Sequence, residues 1–214
     1  MTPDRSAELA QLTEPLRASL AAAHAAREIG LAASRRTIRA ASLSIRAVHR
    51  GHTDDAAARL AEARAAIVEA QEALAPHPAI AHAGFLHDAE KEYAEAALTA
   101  ALVRAEPLPG PDDLGVAGPA WCNGLAEAAS ELRRHLLDRL RAGQLDEAER
   151  LLAAMDDVYD LLVTIDFPDA ITGGLRRTTD QLRAVLERTR SDLTLTLVQS
   201  RLHAALEGRE PGLS

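Results

Sequence analysis

Residues 6–49 are predicted to form one very long helix, with Gly30 as a possible flexing point near its middle. At about 1.5 Å per residue, such a helix spans roughly 65 Å. That length exceeds the width of a compact domain built from 214 residues. The helix therefore needs partners along its length, and we expect the chain to form oligomers.

Turn residues divide the rest of the chain into further helices. Gly51 ends the first helix, Pro76 and Pro78 end the second, and the longest stretch rich in Pro and Gly predicts a loop at about 106–118. No alternating strand pattern and no repeat of fixed period is found. The sequence predicts an all-α fold in a single domain over 1–214. The five later helices are expected at about 53–74, 79–104, 121–142, 145–164 and 175–206.

Composition narrows the class of protein. Aromatic residues make up only 2% of the chain, and alanine and leucine are abundant, which favours helices packed through small side chains. The single cysteine, Cys122, excludes an internal disulfide framework and a cysteine zinc cluster. The acidic, polar start is unlike a secretory signal, and no apolar stretch is long enough to cross a bilayer. We expect a cytoplasmic protein with no membrane partner.

Charge is distributed unevenly along the chain. The net charge is −8, yet residues 16–52 carry seven arginines and one acid, Glu28, so this segment is strongly basic and the remainder is strongly acidic. Such an asymmetry can guide a polyanion toward one surface. The alternative is that these arginines pair with acids of the same protein.

Two pairs of glutamates form the candidate functional site. Glu92 and Glu95 are three residues apart in one predicted helix, and Glu127 and Glu131 are four apart in the next. Each pair therefore shares a helical face, although like charges at that spacing repel. Two such helices packed together would bring four carboxylates to one place, which suits a hard divalent cation. Chance pairs, such as Glu69 with Glu72, make solvated surface acids the alternative.

Other chemistries find less support. Glu131 and His135 are four residues apart, whereas the di-iron bundles use a Glu-x-x-His spacing of three, and no second such motif is present. Cys122 follows Trp121 near a predicted helix start, without a His–Asp arrangement nearby. There is no GxxxxGK[ST], GxGxxG or GxSxG motif. The scarcity of aromatic residues argues against a base-stacking platform.

Several segments together resemble the translin/TRAX family (TRAX is translin-associated factor X). The clearest are REIGLAASRRTI at 27–38, KEYAEA at 91–96 and GLAEAASELRR at 124–134. RAGQLDEAERLL after the fourth helix and LRRTTDQLRAVLERTRSDL near the end agree with them in order and spacing. The resemblance covers nearly the whole chain and points to a prokaryotic TRAX-like member.

The resemblance implies a fold, an assembly and an activity. It implies about seven helices and a hollow octamer that holds single-stranded RNA or DNA, either as a homo-oligomer or with a second translin-like subunit. TRAX-like subunits carry an acidic, magnesium-dependent ribonuclease site. That motif falls on Glu92, Glu95, Glu127 and Glu131, with glutamate at 127 where the family has aspartate.

From the resemblance we expect an endoribonuclease that uses Mg²⁺ or Mn²⁺. Glu95 and Glu131 are expected to hold the metal, while Glu92 and Glu127 complete its shell or orient and deprotonate a water. The phosphate contacts are expected from Arg27, Arg35, Arg36 and Arg39. The alternatives are a non-catalytic, translin-like binder of single strands and a helical scaffold that binds another protein.

Overall fold

The chain folds entirely into helices over the residues that the structure describes. The computed structural model describes residues 5–207, without the side chains of Ala204 and Glu207, and contains no strand within that range. The helices are α1 (Arg5–His49), α2 (Thr53–Leu74), α3 (Pro78–Ala81), α4 (Phe85–Arg104), α5 (Pro111–Leu114), α6 (Gly118–Arg141), α7 (Leu145–Leu162), α8 (Asp169–Thr172) and α9 (Leu175–Glu207).

The all-α prediction is confirmed, with differences at the level of single turns. Within residues 5–207, six helices are long, and α3, α5 and α8 are helices of only four residues. The helix predicted at 79–104 is divided, because Gly84 adopts a left-handed φ of 97° that separates α3 from α4. The predicted loop at 106–118 is present, although its middle coils into α5. The ends of the predicted domain, 1–4 and 208–214, lie outside the described residues.

Helices α4 and α6 pack against each other at the centre. Helix α4 also contacts α1 and α2, and these two helices pack against each other. Helix α6 also contacts α7 and α9. More than half of α4 is buried, and half of its buried positions are alanines. Small side chains on α4 let its neighbours approach closely, so this helix has little freedom to tilt.

Gly124 lies where α4 and α6 are in close contact. A Cβ atom built on Gly124 would lie 2.8 Å from the carbonyl oxygen of Lys91 and 3.0 Å from the backbone nitrogen of Glu95. Real Cβ atoms do not approach backbone so closely, so only glycine allows this contact. The contact lies one turn from Glu127, and it therefore sets how near the acids of the two helices come.

Two apolar stripes have no partner among the described residues. One lies on the first half of α1 and the other on the second half of α9, and every member is more than half exposed. The first stripe is Leu9, Leu12, Leu16 and Leu20, and the second is Leu195, Val198, Leu202 and Leu206. Within residues 5–207, no helix combines the length and apolar character needed to span a bilayer.

Candidate metal and nucleic-acid site

Three of the four predicted acids lie together between α4 and α6. Carboxylate oxygens of Glu92, Glu95 and Glu127 all lie within 4.8 Å of one another. Glu95 is 8% exposed, whereas Glu92 and Glu127 are half-buried. An all-oxygen set of this size and charge fits a hard divalent cation. The helix packing therefore gathers the acids that sequence spacing had only placed on two separate faces.

The electrostatics of Glu95 are strongly perturbed. Burial, followed by the charges of Glu92, Glu127 and Glu131, raises the pKa of Glu95 to about 9, although Lys91 partly opposes the shift. Glu95 therefore carries a proton at neutral pH when no cation is present. A divalent cation would reverse this balance, because it favours the ionised carboxylate.

Lys91 places an ammonium group against the same acids. Its Nζ donates to both carboxylate oxygens of Glu127, at 2.8 and 2.7 Å, and lies 3.3 Å from Glu92 Oε1. Burial alone would lower the pKa of Lys91, but hydrogen bonding and charge from Glu127 and Glu92 outweigh it and leave that pKa raised. Lys91 therefore partly neutralises the acid cluster.

Glu131 is held differently from the other three acids. Its Oε2 lies 2.7 Å from Nε2 of His49, whose side chain is 2% exposed. The hydrogen bond from His49 lowers the pKa of Glu131, with further lowering from the charges of His49 and Arg134, against the opposing effect of burial. Glu131 therefore stays ionised and influences Glu95 through its charge.

A cleft of about 240 Å³ opens beside these acids. It is lined by Ser42, Ile45, Arg46, His49, Glu92, Glu95, Glu131 and Arg134. The α1 residues in this wall are spaced as one helical face, at positions i, i+3, i+4 and i+7. Arg46 and Arg134 are exposed, so two guanidinium groups border a cleft whose floor is acidic. This combination suits a phosphate group brought up to a cation.

The four predicted arginines lie elsewhere on α1. Arg27 pairs with Glu28 at 2.6 Å, and Arg36 forms an ion pair with Glu69 of α2. Arg39 lines a surface groove between α1 and α2 together with that ion pair. Arg35 is exposed and precedes Ser42 by seven residues, which places it on the cleft-facing side of α1 about two turns away.

The other residues weighed from sequence do not join the site. His135 is absent from the metal-ligand group found among residues 5–207, and burial is the largest cause that lowers its pKa. Burial raises the pKa of the Cys122 thiol, which is opposite to what an activated nucleophile needs.

Four site residues were missed as functional candidates: His49, Lys91, Arg46 and Arg134. Lys91 and Arg134 stand inside the segments KEYAEA and GLAEAASELRR, and Arg46 belongs to the basic segment. The available signal was that Lys91 is the only lysine in the chain. His49 left no signal, because only the packing of α1 on α4 and α6 brings it to Glu131.

The fold and site define an all-α protein whose central helix pair carries a partly buried acid cluster. No family model matches the chain. Its fold is similar to that of AfC3PO, and C3PO is the translin/TRAX complex. The crystal structure of AfC3PO is 33% identical in sequence to this chain, with a TM-score of 0.80. The match covers 87% of this chain and 97% of that chain. A second AfC3PO structure, in complex with duplex RNA, is 32% identical, with a TM-score of 0.77, over 87% and 96%.

Two further proteins resemble the chain at lower identity. The crystal structure of apo-NeC3PO is 20% identical, with a TM-score of 0.72, over 92% of this chain and 98% of that one, which shows a shared fold. The uncharacterized protein MJ0175 of Methanocaldococcus jannaschii is 27% identical over 189 residues, covering 88% of this chain and 84% of its own length. The chain belongs to the translin/TRAX family.

Proposed function

We propose that this protein binds RNA and cleaves it as a metal-dependent endoribonuclease. The observation that carries the proposal is the cluster of Glu92, Glu95 and Glu127 within 4.8 Å. Acids alone are common on surfaces, but here one is buried, protonated at neutral pH and adjacent to a cleft bordered by arginines. Clustered carboxylates destabilise the folded protein unless a cation binds between them.

The acids divide into two groups in the proposed mechanism. Glu92, Glu95 and Glu127 would hold Mg²⁺ or Mn²⁺, and Glu131 adds negative charge from the side of His49. When bound, the cation supplies phosphate polarisation and a water of lowered pKa. A carboxylate oxygen of the cluster that is not bound to the cation could then accept a proton from that water.

The nucleic acid is expected to contact the arginine side of the cleft. Arg46 and Arg134 flank the acids, and Arg35 extends the positive strip along α1. Contacts of this kind make binding dependent on salt and poor at reading sequence. We expected single strands, and AfC3PO has been solved with duplex RNA. A test of binding therefore needs both forms of RNA, and single-stranded DNA beside them.

Homo-oligomerisation accompanies the proposed activity. The stripes on α1 and α9 share one spacing (three, four and four residues) and expose eight large aliphatic side chains. A second copy of the chain would cover them at the usual gain of apolar burial. Eight copies of the 22.8 kDa chain give about 182 kDa, which mass photometry distinguishes from smaller assemblies.

The test is cleavage of end-labelled RNA, single-stranded and duplex, in Mg²⁺, Mn²⁺ or EDTA. We expect cleavage that requires metal and is lost in Glu95→Gln, while RNA binding by that variant survives. Glu14→Gln is the matched control, because Glu14 is exposed on α1 far from the cluster along that helix. Cleavage that persists in EDTA or in Glu95→Gln would contradict the proposed site.

One observation favours a second function, that of a non-catalytic binder. Glu127 stands where the family has aspartate, and Lys91 holds both of its oxygens. Mg²⁺ demands strict geometry, and a longer side chain shifts the carboxylate. RNA that is retarded on a gel but stays intact in every metal would identify this binder, whereas absent RNA binding would leave only a protein-binding scaffold.

A further inference from the structure

Lys91 is chemically singular in this chain. Of the 24 lysine and arginine residues, it is the only lysine, and it lies in the acid cluster. Its side chain is only 19% exposed, and its ion-pair partners are Glu127 and Glu92. The ammonium group of Lys91, which is part of the chain, thus already pairs with two of the three candidate metal ligands.

The Lys91 ammonium and a divalent metal ion would compete for the same carboxylate oxygens. Both oxygens of Glu127 accept hydrogen bonds from Lys91, at 2.8 and 2.7 Å, so the ammonium already occupies one acceptor site on each oxygen. A divalent ion among Glu92, Glu95 and Glu127 would also lie close to the ammonium, and like charges at such distances repel strongly in a half-buried site.

The choice of lysine fits this competition. An arginine would hold a carboxylate through a rigid, bidentate fork, whereas the ammonium of lysine is a point charge on a flexible four-carbon stem. Lysine can therefore leave Glu127 by bond rotations of its own side chain, without displacement of α4. Its partial exposure gives it a path toward solvent.

We propose that Lys91 is a tethered competitor of the divalent cation, which neutralises Glu127 and Glu92 in the metal-free protein and leaves Glu127 when metal binds. This inference rests on the metal site of the proposed function. It assigns Lys91 as a positioning residue that sets the metal concentration at which the site fills.

The first test is calorimetric titration of Mn²⁺ into the wild-type protein and Lys91→Met, which keeps the stem and removes the charge. Because the variant has neither the charge repulsion nor the competing ammonium, we expect it to bind Mn²⁺ at least about tenfold more tightly than the wild-type protein. Arg133→Met is the matched control, since Arg133 lies on α6 and pairs with Asp192 outside the cluster. An equal or weaker affinity in Lys91→Met overturns the proposal, as does an equal gain in the control.

The second test uses the wild-type chain and does not depend on how the variant folds. Because Lys91 is the only lysine, acetylation by an amine reagent adds one side-chain label, which peptide mass spectrometry quantifies against the N-terminal amine. We expect Mg²⁺ to increase the acetylation rate of Lys91 several-fold over EDTA at matched ionic strength. An unchanged or slower rate with metal bound overturns the proposal.

The two proposals can fail separately. If the wild-type protein and Lys91→Met bind Mn²⁺ equally well, competition is wrong and the metal site stands. If neither binds Mn²⁺, the metal site itself is wrong, and the competition is overturned with it.

Discussion

Replacing Glu95 by glutamine should stabilise the metal-free protein, and increasingly so as the pH rises. The pKa of Glu95 is raised from 4.5 to about 9, chiefly by burial and then by Glu92, Glu127 and Glu131. The native state therefore holds one more proton than the unfolded chain between those two pH values. Stability falls as pH rises through this window, and it stops falling above about 9.

The size of the effect follows from this shift. Each pH unit inside the window costs about 1.4 kcal/mol. Relative to the ordinary pKa of 4.5, the folded protein is penalised by on the order of 2 kcal/mol at pH 6 and on the order of 5 kcal/mol at pH 8. Glutamine has no proton to take up, so Glu95→Gln should recover energies of this order.

Urea unfolding in EDTA, followed by far-UV circular dichroism at fixed protein concentration, measures the free energy of unfolding at pH 6 and at pH 8. We expect the free energy of unfolding of Glu95→Gln to exceed that of the wild-type protein, by more at pH 8 than at pH 6. Glu14→Gln, at an exposed position, should track the wild type. Parallel pH dependences for Glu95→Gln and the wild type would refute the argument that Glu95 is protonated in the native state.

Three further predictions concern packing, protons and phosphate contacts. Gly124→Ala should lower stability by about 1–3 kcal/mol in thermal or urea unfolding, because its Cβ would lie 2.8 Å from a backbone oxygen of α4. Gly118→Ala, with nothing within 4 Å, is the control, and equal losses would contradict the account. Mn²⁺ binding at pH 7 should release close to one proton, measured by calorimetry in two buffers of different ionisation enthalpy, and zero release would contradict a protonated ligand. Arg46→Ala and Arg134→Ala should each weaken RNA binding and reduce the slope of log affinity against log salt concentration by about 1. Arg36→Ala is the control and should change this slope less. A larger change in Arg36→Ala than in the other two variants would contradict the placement of RNA at the cleft.

The helices were largely predictable because their signals are local. Apolar periodicity and turn residues such as Gly51 and Gly143 determine where each long helix ends, and both glycines adopt left-handed φ values. The break at Gly84 was missed, since a single glycine within a helical pattern is usually tolerated.

The site was predictable only in part. The spacing of Glu92 with Glu95 fixes a shared helical face, but the distance from α4 to α6 depends on Gly124, whose contact partner cannot be inferred from a local pattern. His49 lies 82 residues from Glu131, so only tertiary packing joins them. The pairing of Glu95 with Glu131 as metal ligands stays a prediction, while the structure groups Glu95 with Glu92 and Glu127.

The most direct measurement is anomalous diffraction from crystals of the wild-type protein grown or soaked with Mn²⁺. The account predicts an anomalous peak between α4 and α6, with oxygens of Glu92, Glu95 and Glu127 at about 2.0–2.3 Å from it. A crystal with saturating Mn²⁺ and no peak at these carboxylates would contradict the account.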